Sequence, residues 1–276
     1  MATGSLHVNR DIILATRKQT FRERKQSTPT EAVLAMAQMQ RRPRPLLTYA
    51  TDHQDIALIA QVTRTEVYDP VMSALLCREN GADVIAFFTD HSIYDNDYDD
   101  ALLIARAIDH TPLLYQNFTF DEYGVMMARG ADASGLLLYS SILKKGELLA
   151  TVSMAQRWKM SVQIQVGNQE ELDFALNLSP HVLSFGDRDE GNIELAVGLL
   201  KDVRDTLPDH VRVMLSHTMY SPEEVEIALG AEVDALIVDE HVMRDDKSAF
   251  AVRQLVDDAM AKRAPAGGHN NPPMIP

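Results

Sequence analysis

Three glutamines lie where the sequence predicts that buried strands end, a position at which many enzymes carry reactive groups. Apolar runs of strand length contain or lead to Gln61, Gln116 and Gln165. An amide donates and accepts hydrogen bonds, but it carries no charge and exchanges no proton near neutral pH. These side chains could therefore orient a small uncharged or cationic ligand, but they cannot themselves perform acid–base chemistry.

A second group of polar residues could supply a base. His217 is predicted to lie near Asp187 and Asp239, each at the end of a strand. A histidine oriented by a carboxylate is a workable general base, so the pair His217 and Asp187 could replace a lost catalytic group. A polar rim can also hold one histidine and two acids without any catalytic role. The sequence leaves both interpretations open.

Metal binding is not predicted. Asp95, Asp97, Asp99 and Asp100 resemble a calcium loop, yet an EF-hand needs glycine at its sixth position and a bidentate acid at its twelfth. Asp100 and Arg106 occupy those places, so the segment is predicted to be a solvated acidic loop. The histidines show no close pair with ligand spacing. We expect neither a metal nor a cofactor.

Composition narrows the class of protein. The 276 residues carry a formal net charge of −14, which argues against nucleic acid as a partner. The single cysteine, Cys77, lies in an apolar helical pattern that predicts a buried structural thiol. No apolar run approaches the roughly 20 residues needed to span a bilayer, and the first residues lack a secretory signal pattern. We expect no membrane insertion and a cytoplasmic location.

The charge is unevenly distributed, because the first segment is basic. One interpretation is a docking surface for an acidic protein partner, including a second copy of the chain; the other is a solvated helix face. No small-molecule ligand can be named. The cations of this segment are Arg10, Arg17, Lys18, Arg22, Arg24, Lys25, Arg41, Arg42 and Arg44.

Short apolar runs alternate with longer amphipathic ones from about residue 55, as in β/α units around a parallel sheet. Eight such strands close a barrel, so we predict an α/β fold, a (β/α)8 TIM barrel with an extra amino-terminal helical segment. The predicted strands are Ala57 to Thr63, Asp83 to Thr89, Pro112 to Gln116, Ser134 to Tyr139, Ser161 to Val166, Val182 to Phe185, Val211 to Ser216 and Asp234 to Val238.

Four regions are predicted along the chain. Residues 1–8 form a flexible amino terminus, 9–44 a helical extension, 45–262 the barrel, and 263–276 a disordered tail rich in proline, glycine and asparagine.

Local signals mark the helix boundaries inside the barrel. Asp69 and Ser221 each precede a proline, which is typical of a capped helix start. Asn168 with Glu171, Ser221 with Glu224 and Thr28 with Glu31 have capping-box spacing. Three similar triplets begin at Gly81, Gly130 and Gly230, where we expect glycine to end a helix in the left-handed conformation.

Several motifs together resemble a known family. They are Asp11 to Lys18, Gly81 to Val84 leading to Thr89 and Asp90, Phe118 with Asp121 and Tyr123, Asn168 to Leu172, Ser221 to Val225, and Glu240 to Arg244. With them the chain resembles indole-3-glycerol-phosphate synthase from the amino-terminal helix nearly to Ala259. That enzyme is a barrel of the tryptophan pathway that decarboxylates and cyclises a carboxyphenylamino-deoxyribulose phosphate.

The resemblance also implies catalytic residues that this chain lacks. The family's first strand ends in a glutamate and then a lysine, its third in a general-acid lysine followed by an aspartate, and its fifth and seventh in glutamates; paired asparagines follow the sixth. Without these lysines and glutamates the chain lacks the proton donor, the cation for the substrate carboxylate and the bases. The corresponding positions hold Gln61 and Thr63, Gln116 and Asn117, Gln165, Ser216, and Gly186 with Asp187.

The phosphate site implied by the resemblance is altered as well. Thr218 and Asp239 stand where glycines are expected, and the loop after the first strand is cut to Arg64 to Val67. A carboxylate there would repel a dianion, although Arg188 is kept. We therefore expect a catalytically inactive barrel that serves as a structural or regulatory binding subunit. The alternatives are residual or altered carbon–carbon lyase activity and a small-molecule-binding barrel.

Overall fold

The computed structural model describes residues 10–47, 55–64, 69–87, 97–186 and 192–263. Several positions from the sequence analysis lie outside these residues: Thr89, Asp90, Asp95, Asp187 and Arg188, together with the first eight residues and the tail from residue 264. No described helix is both long enough and apolar enough to cross a membrane.

Eight parallel strands form a closed barrel in chain order, which confirms the predicted (β/α)8 TIM barrel. Each strand pairs with the strands before and after it, and β1 closes the barrel against β8. The strands are β1 Ala57–Val62, β2 Val84–Phe87, β3 Leu113–Tyr115, β4 Gly135–Tyr139, β5 Ser161–Val166, β6 Val182–Phe185, β7 Arg212–Met219 and β8 Ala235–Asp239.

Helices follow or connect the barrel strands, and two further helices, α1 and α2, precede the first strand in the chain. They are α1 Arg10–Ser27, α2 Thr30–Met39, α3 Pro70–Glu79, α4 Asp97–Ala107, α5 Glu122–Gly130, α6 Lys145–Arg157, α7 Gln169–Leu176, α8 Ile193–Val203, α9 Pro222–Leu229, α10 Glu240–Arg244 and α11 Asp246–Arg263.

Alternation along each strand sends one set of side chains inward and the other outward to the helices. The inward set forms its own cluster, in which Ile59 and Leu114 precede Gln61 and Gln116 by two residues. Leu46 closes the opposite end, where its backbone N–H donates to Ser161 Oγ at 3.1 Å. The barrel is thus apolar near the start of its strands and polar near their ends.

The seventh strand is longer than predicted. It was expected to end at Ser216, but it runs to Met219, with a register shift between Met214 and Thr218 in its pairing with β8. The shift lets Thr218 pair with Ile237 and keeps the strand in the sheet. Ser216 and His217 therefore lie within a strand and not in the loop that follows it.

Most of the capping predictions are confirmed. Asp69 accepts from Val71 N and Met72 N at 2.8 and 3.1 Å, Asn168 from Glu171 N, and Ser221 from Glu224 N. The prediction for Thr28 is wrong. Pro29 occupies the N-cap position of α2, and no side chain caps that helix.

The glycine triplets behave differently from one another. Gly81 has φ of +94°, as predicted for a left-handed helix end. Gly230 has φ of −67°, because the helical conformation continues through it. In the second and third triplets the acidic residue takes the left-handed position, with φ of 60° at Asp132 and 56° at Glu232. Gly130 is the last residue of α5, also without a positive φ, so the prediction is wrong for both Gly130 and Gly230.

The amino-terminal helices lie against the side of the barrel near α5. Helix α2 packs on α5. In helix α1 the Phe21 ring meets the rings of Phe120 and Tyr123 edge-on, with distances between ring centroids of 5.5 and 5.6 Å. Lys25 of the same helix places its Nζ 2.7 Å from Asp121 Oδ2. Tyr123 Oη also donates to Thr28 O at 3.0 Å. Aromatic packing, the ion pair of Lys25 with Asp121 and the hydrogen bond of Tyr123 thus join this helical segment to the barrel.

The close fit at the closed end of the barrel predicts a cost for any added atom. In Gly135→Ala the new Cβ would clash with Leu46 Cδ1 and lie 2.7 Å from the backbone oxygen of Ser161. We expect the free energy of unfolding to fall by about 1–3 kcal/mol. Gly198→Ala in α8 is the control, because nothing lies within 4 Å of the added Cβ. Its free energy of unfolding should rise by about 0.5–1 kcal/mol, since alanine favours the helix. Urea unfolding of both variants checks this; equal effects would contradict it.

Candidate functional site at the barrel mouth

The three glutamines singled out in the sequence all lie in or directly after barrel strands and are buried. Gln61 is opposite Asp239 in the pairing of β1 with β8, and Gln165 is opposite Ser184 in the pairing of β5 with β6. Thr218 Oγ1 donates to Gln61 Oε1 at 3.0 Å across the mouth. Gln61, Gln165 and Thr218 thus give the mouth neutral hydrogen-bonding groups, with the Asp239 carboxylate beside them.

Gln116 is the most unusual of these residues. It is 0 % exposed, and within the described part of the chain neither its Nε2 nor its Oε1 has a hydrogen-bond partner. A buried polar group without a partner costs about 1–3 kcal/mol. Most buried polar groups in proteins avoid that cost by pairing. Gln116 therefore places an unsatisfied polar group in the barrel centre, which lowers the stability of the fold.

Gln163 is a fourth interior glutamine that the sequence analysis missed. Its Nε2 donates to Ser184 Oγ at 3.0 Å, whereas its Oε1 has no partner among the residues described, as is also the case for Ser216 Oγ on β7. It precedes Gln165 by two positions on the same strand, so the alternation of side chains could have revealed it. The amide lining therefore extends deeper than the strand ends.

Asn117 does not join Gln116 in the barrel. Its Nδ2 donates to Tyr115 Oη at 2.9 Å, and Tyr115 belongs to the cluster that packs against the helices. Asn117 lines a cleft between α1 and the segment after β3. The two adjacent positions thus serve different parts of the molecule.

Thr63 contacts a buried acid that the sequence analysis recorded only within a motif. Its Oγ1 donates to Glu240 Oε1 at 3.1 Å. Glu240 is 4 % exposed, and burial raises its pKa, although Arg244 and the Thr63 hydroxyl oppose that shift. Burial also raises the pKa of the neighbouring Cys77 thiol to about 12. Cys77 is therefore an unreactive thiol in the core.

The histidines pair differently from the sequence expectation. His217 Nε2 lies 3.6 Å from Glu224 Oε2, and Asp239 Oδ1 lies 2.5 Å from His241 Nδ1. Asp239 also caps α10, because its carboxylate accepts from His241 N at 3.0 Å. The local cap therefore holds Asp239 beside His241 and not beside His217. Asp187, the other expected partner, lies outside the described residues.

The same cap bears on the phosphate site implied by the resemblance. The Asp239 carboxylate already accepts the backbone N–H at the start of α10, a type of donor that bound phosphates use. Thr218, the other glycine replacement, is buried and bonded to Gln61. At both positions where the resemblance implies a glycine, the side chain is thus engaged in a hydrogen bond within the protein.

The acidic segment around residue 97 is not a loop. Asp97 to Asp100 form the first turn of α4, and Asp100 is 3 % exposed and forms a bidentate ion pair with Arg64. The prediction of a solvated loop is wrong for Asp100, because an arginine after β1 compensates its burial. Across the described ranges, no group of three or more His, Cys, Asp or Glu could hold a metal ion.

The fold and the polar strand ends define the class of protein, a (β/α)8 barrel with polar residues at the carboxyl ends of its strands. A closed parallel β/α barrel presents its functional residues at the carboxyl ends of the strands. Thiamine phosphate pyrophosphorylase from Pyrococcus furiosus is similar, with a TM-score of 0.57 at 16% identity over 75% of this chain and 98% of that chain. Tryptophan synthase subunit alpha from Legionella pneumophila has a TM-score of 0.53 at 14% identity, covering 75% and 92%. These similarities concern the fold alone.

Sequence comparison identifies the family. The family model for indole-3-glycerol phosphate synthase matches residues 10–255, and the chain belongs to this family. The indole-3-glycerol phosphate synthase of Roseiflexus sp. (strain RS-1) is 26% identical over 258 residues, which cover 88% of this chain and 96% of the relative. That of Chromobacterium violaceum is 26% identical over 254 residues, with the same coverage of both proteins.

The unpartnered amide of Gln116 predicts a gain in stability when it is replaced. We expect Gln116→Met, which keeps the side-chain volume, to raise the free energy of unfolding by about 1 kcal/mol. Gln163→Met is the matched control: it also removes one unpartnered atom, Oε1, but it loses the hydrogen bond from Nε2 to Ser184 Oγ, so its free energy of unfolding should rise less than that of Gln116→Met or fall. Urea unfolding at equal pH compares the two. A loss of stability in Gln116→Met would contradict the expectation.

Proposed function

We propose that this chain is a catalytically silent member of the indole-3-glycerol phosphate synthase family, retained as a structural or regulatory binding subunit. The observation that carries the proposal is Gln116, a fully buried neutral amide at the position where the family resemblance implies the general-acid lysine. An amide cannot deliver the proton that the leaving hydroxyl requires.

The other replacements support the same conclusion. Gln61 stands for a glutamate, and its amide oxygen accepts from Thr218 in a neutral pair. Thr63 stands for the lysine that holds the substrate carboxylate, and here its hydroxyl donates to Glu240. Neither arrangement can stabilise a developing charge as a preorganised ion would. The mouth thus has hydrogen bonds in place of the ionic groups.

Substrate binding is weakened by charge as well as by loss of the lysines. The side chain of Asp239 lies beside the start of α10, and the curated relatives are named for a phosphate ester. Two like charges at about 4 Å repel by about 1 kcal/mol in bulk water and several-fold more near a protein surface. Asp239 therefore disfavours the anionic end of such a substrate.

A second candidate function is binding of a small neutral molecule at the mouth. It is favoured by the unpartnered atoms of Gln116, Gln163 and Ser216, which together offer donors and acceptors without charge. Binding pockets use a few such groups to orient a ligand. This function would also leave the chain without turnover.

The proposed lack of catalytic activity at the barrel mouth is tested directly with the family's substrate. Purified protein from a host lacking the synthase is incubated with carboxyphenylamino-deoxyribulose phosphate, and indole-product fluorescence is followed. We expect no product above a heat-denatured control, since each lost catalytic group commonly costs roughly a thousandfold. The Roseiflexus relative, assayed in parallel, is the positive control. Product formation above the denatured control would overturn the proposal.

The proposed partner surface is the part of the basic segment from Arg10 to Arg44 that remains exposed. The structure shows that some of its cations act within the chain: Lys25 pairs with Asp121, and Arg41 with Asp109 and Asp132. Arg22 is exposed on α1. We propose that Arg22 and its exposed neighbours contact an acidic protein or a second copy of this acidic chain.

Charge reversal tests this surface. We expect native-lysate pull-down or light scattering to show a complex that weakens in Arg22→Glu and at higher salt, because exposed charges are screened. Lys201→Glu makes the same charge change on the exposed part of α8 and should have no effect. A monomer with no stable partner at low salt, or equal effects of the two variants, would contradict a role for this surface.

A further inference from the structure

Three arginines converge at the amino-terminal ends of β7 and β8, the end of the barrel opposite the mouth. Arg204 follows α8, Arg212 begins β7, and Arg263 ends α11. Arg204 Nη2 and Arg212 Nη1 lie 3.8 and 3.7 Å from Asp234 Oδ1. Arg263 Nη1 donates to the neighbouring Val233 O at 3.0 Å. We call Arg204, Arg212 and Arg263 the arginine cluster.

The carboxylate of Asp234 does not satisfy all the donors around it. Its Oδ2 accepts the backbone N–H of Val213 at 2.8 Å. The 3.8 Å from Arg204 Nη2 to Asp234 Oδ1 exceeds the about 2.7–2.9 Å that is typical of a charged hydrogen bond. Among the described residues, Arg204 Nε and Arg263 Nη2 are buried and have no hydrogen-bond partner. The arginine cluster therefore holds buried N–H donors that the rest of the described chain leaves unused.

The arginine cluster also has a positive charge balance. Arginine stays protonated in proteins, so three cationic groups lie around Asp234, and Glu232 is the other acid that acts on Arg263. Burial lowers the pKa of Arg263, which Asp234 and Glu232 oppose. The charge of Arg204 lowers it further. An additional anion beside the cluster would compensate this repulsion and favour the charged form of Arg263.

The arginine cluster is covered but remains in contact with solvent. The side chains of Arg204 and Arg212 are 20 % and 13 % exposed, and Arg263 is partly exposed. Side-chain rotamers commonly change when a ligand or partner binds, and an arginine side chain has several rotatable bonds. A small anion can therefore reach the guanidinium groups from the surface through a change in these side chains alone.

We propose that the arginine cluster binds a phosphate group, with Arg204 Nε and Arg263 Nη2 among its donors. Guanidinium groups suit this anion because they donate paired hydrogen bonds to phosphate oxygens. The anion joins the end of α11 to the segment between α8 and β7. Its binding therefore stabilises this end of the barrel, and it is independent of what the mouth at the carboxyl ends of the strands binds or does.

Titration calorimetry with inorganic phosphate tests the proposal, with chloride at equal ionic strength as the reference anion. We expect phosphate to bind and to raise the melting temperature more than chloride does, because it binds the folded form. Arg263→Gln and Arg204→Gln should each lose about tenfold in affinity for phosphate. Lys262→Gln removes the same charge at an exposed position of α11 and should change the affinity less than about twofold.

Glycerol 2-phosphate, titrated in parallel, distinguishes two sources of the phosphate group. Tighter binding than that of inorganic phosphate indicates an organic phosphate ester, and equal or weaker binding indicates the free anion; either result supports the site.

Two further measurements place the bound anion. Hydrogen exchange with inorganic phosphate present should show added protection at the end of α11 and between α8 and β7. Circular dichroism confirms that the variants are folded, and Arg204→Gln decides if Arg263→Gln is not. Equal stabilisation by phosphate and chloride, phosphate affinity unchanged in the arginine variants, equal effects of Arg263→Gln and Lys262→Gln, or unchanged exchange in these segments would overturn the proposal.

Discussion

The closed barrel buries both faces of its strands, and every polar side chain on the inward face must find its partners inside. Gln61 accepts from Thr218, and Gln163 donates to Ser184 but leaves its Oε1 without a partner among the described residues, whereas neither polar atom of Gln116 has one there. Charged groups would meet it only at a much higher desolvation cost. The described interior of this chain holds neutral amides where charged groups would be needed for ionic chemistry. This use of neutral groups supports the functional proposals.

Some buried polar side chains of this molecule have hydrogen-bond or ion-pair partners and others do not, and the two groups play different parts in the fold. Asp100 is as buried as the interior glutamines but is compensated by Arg64, and Glu240 is buried beside Thr63 and Arg244. Both acids contribute to the framework around β1. The amides at the mouth and the aromatic segment after β3 lie on opposite sides of the β3 end, where Gln116 and Asn117 diverge. Adjacent residues thus serve the barrel interior and the contact with α1.

Much of the fold could be predicted from local patterns. Eight apolar runs gave strand positions within about three residues, and Asp69, Asn168 and Ser221 identified helix starts, because these signals depend on neighbouring residues. The end of β7 could not be predicted, because the register shift depends on pairing with β8. The left-handed Asp132 and Glu232 were also missed, since α5 includes the expected glycine and Gly230 keeps a right-handed conformation after α9.

The sequence by itself determined the barrel class, the family motifs and the chemical types at the strand ends, because side-chain chemistry and periodicity are local properties. The tertiary structure decided which groups meet: Asp239 with His241, Thr63 with Glu240, Arg64 with Asp100, and α1 with the aromatic segment after β3. These contacts join residues through helix caps, strand register and helix docking. Their geometry follows from closing the whole barrel, which spacing along the chain does not encode.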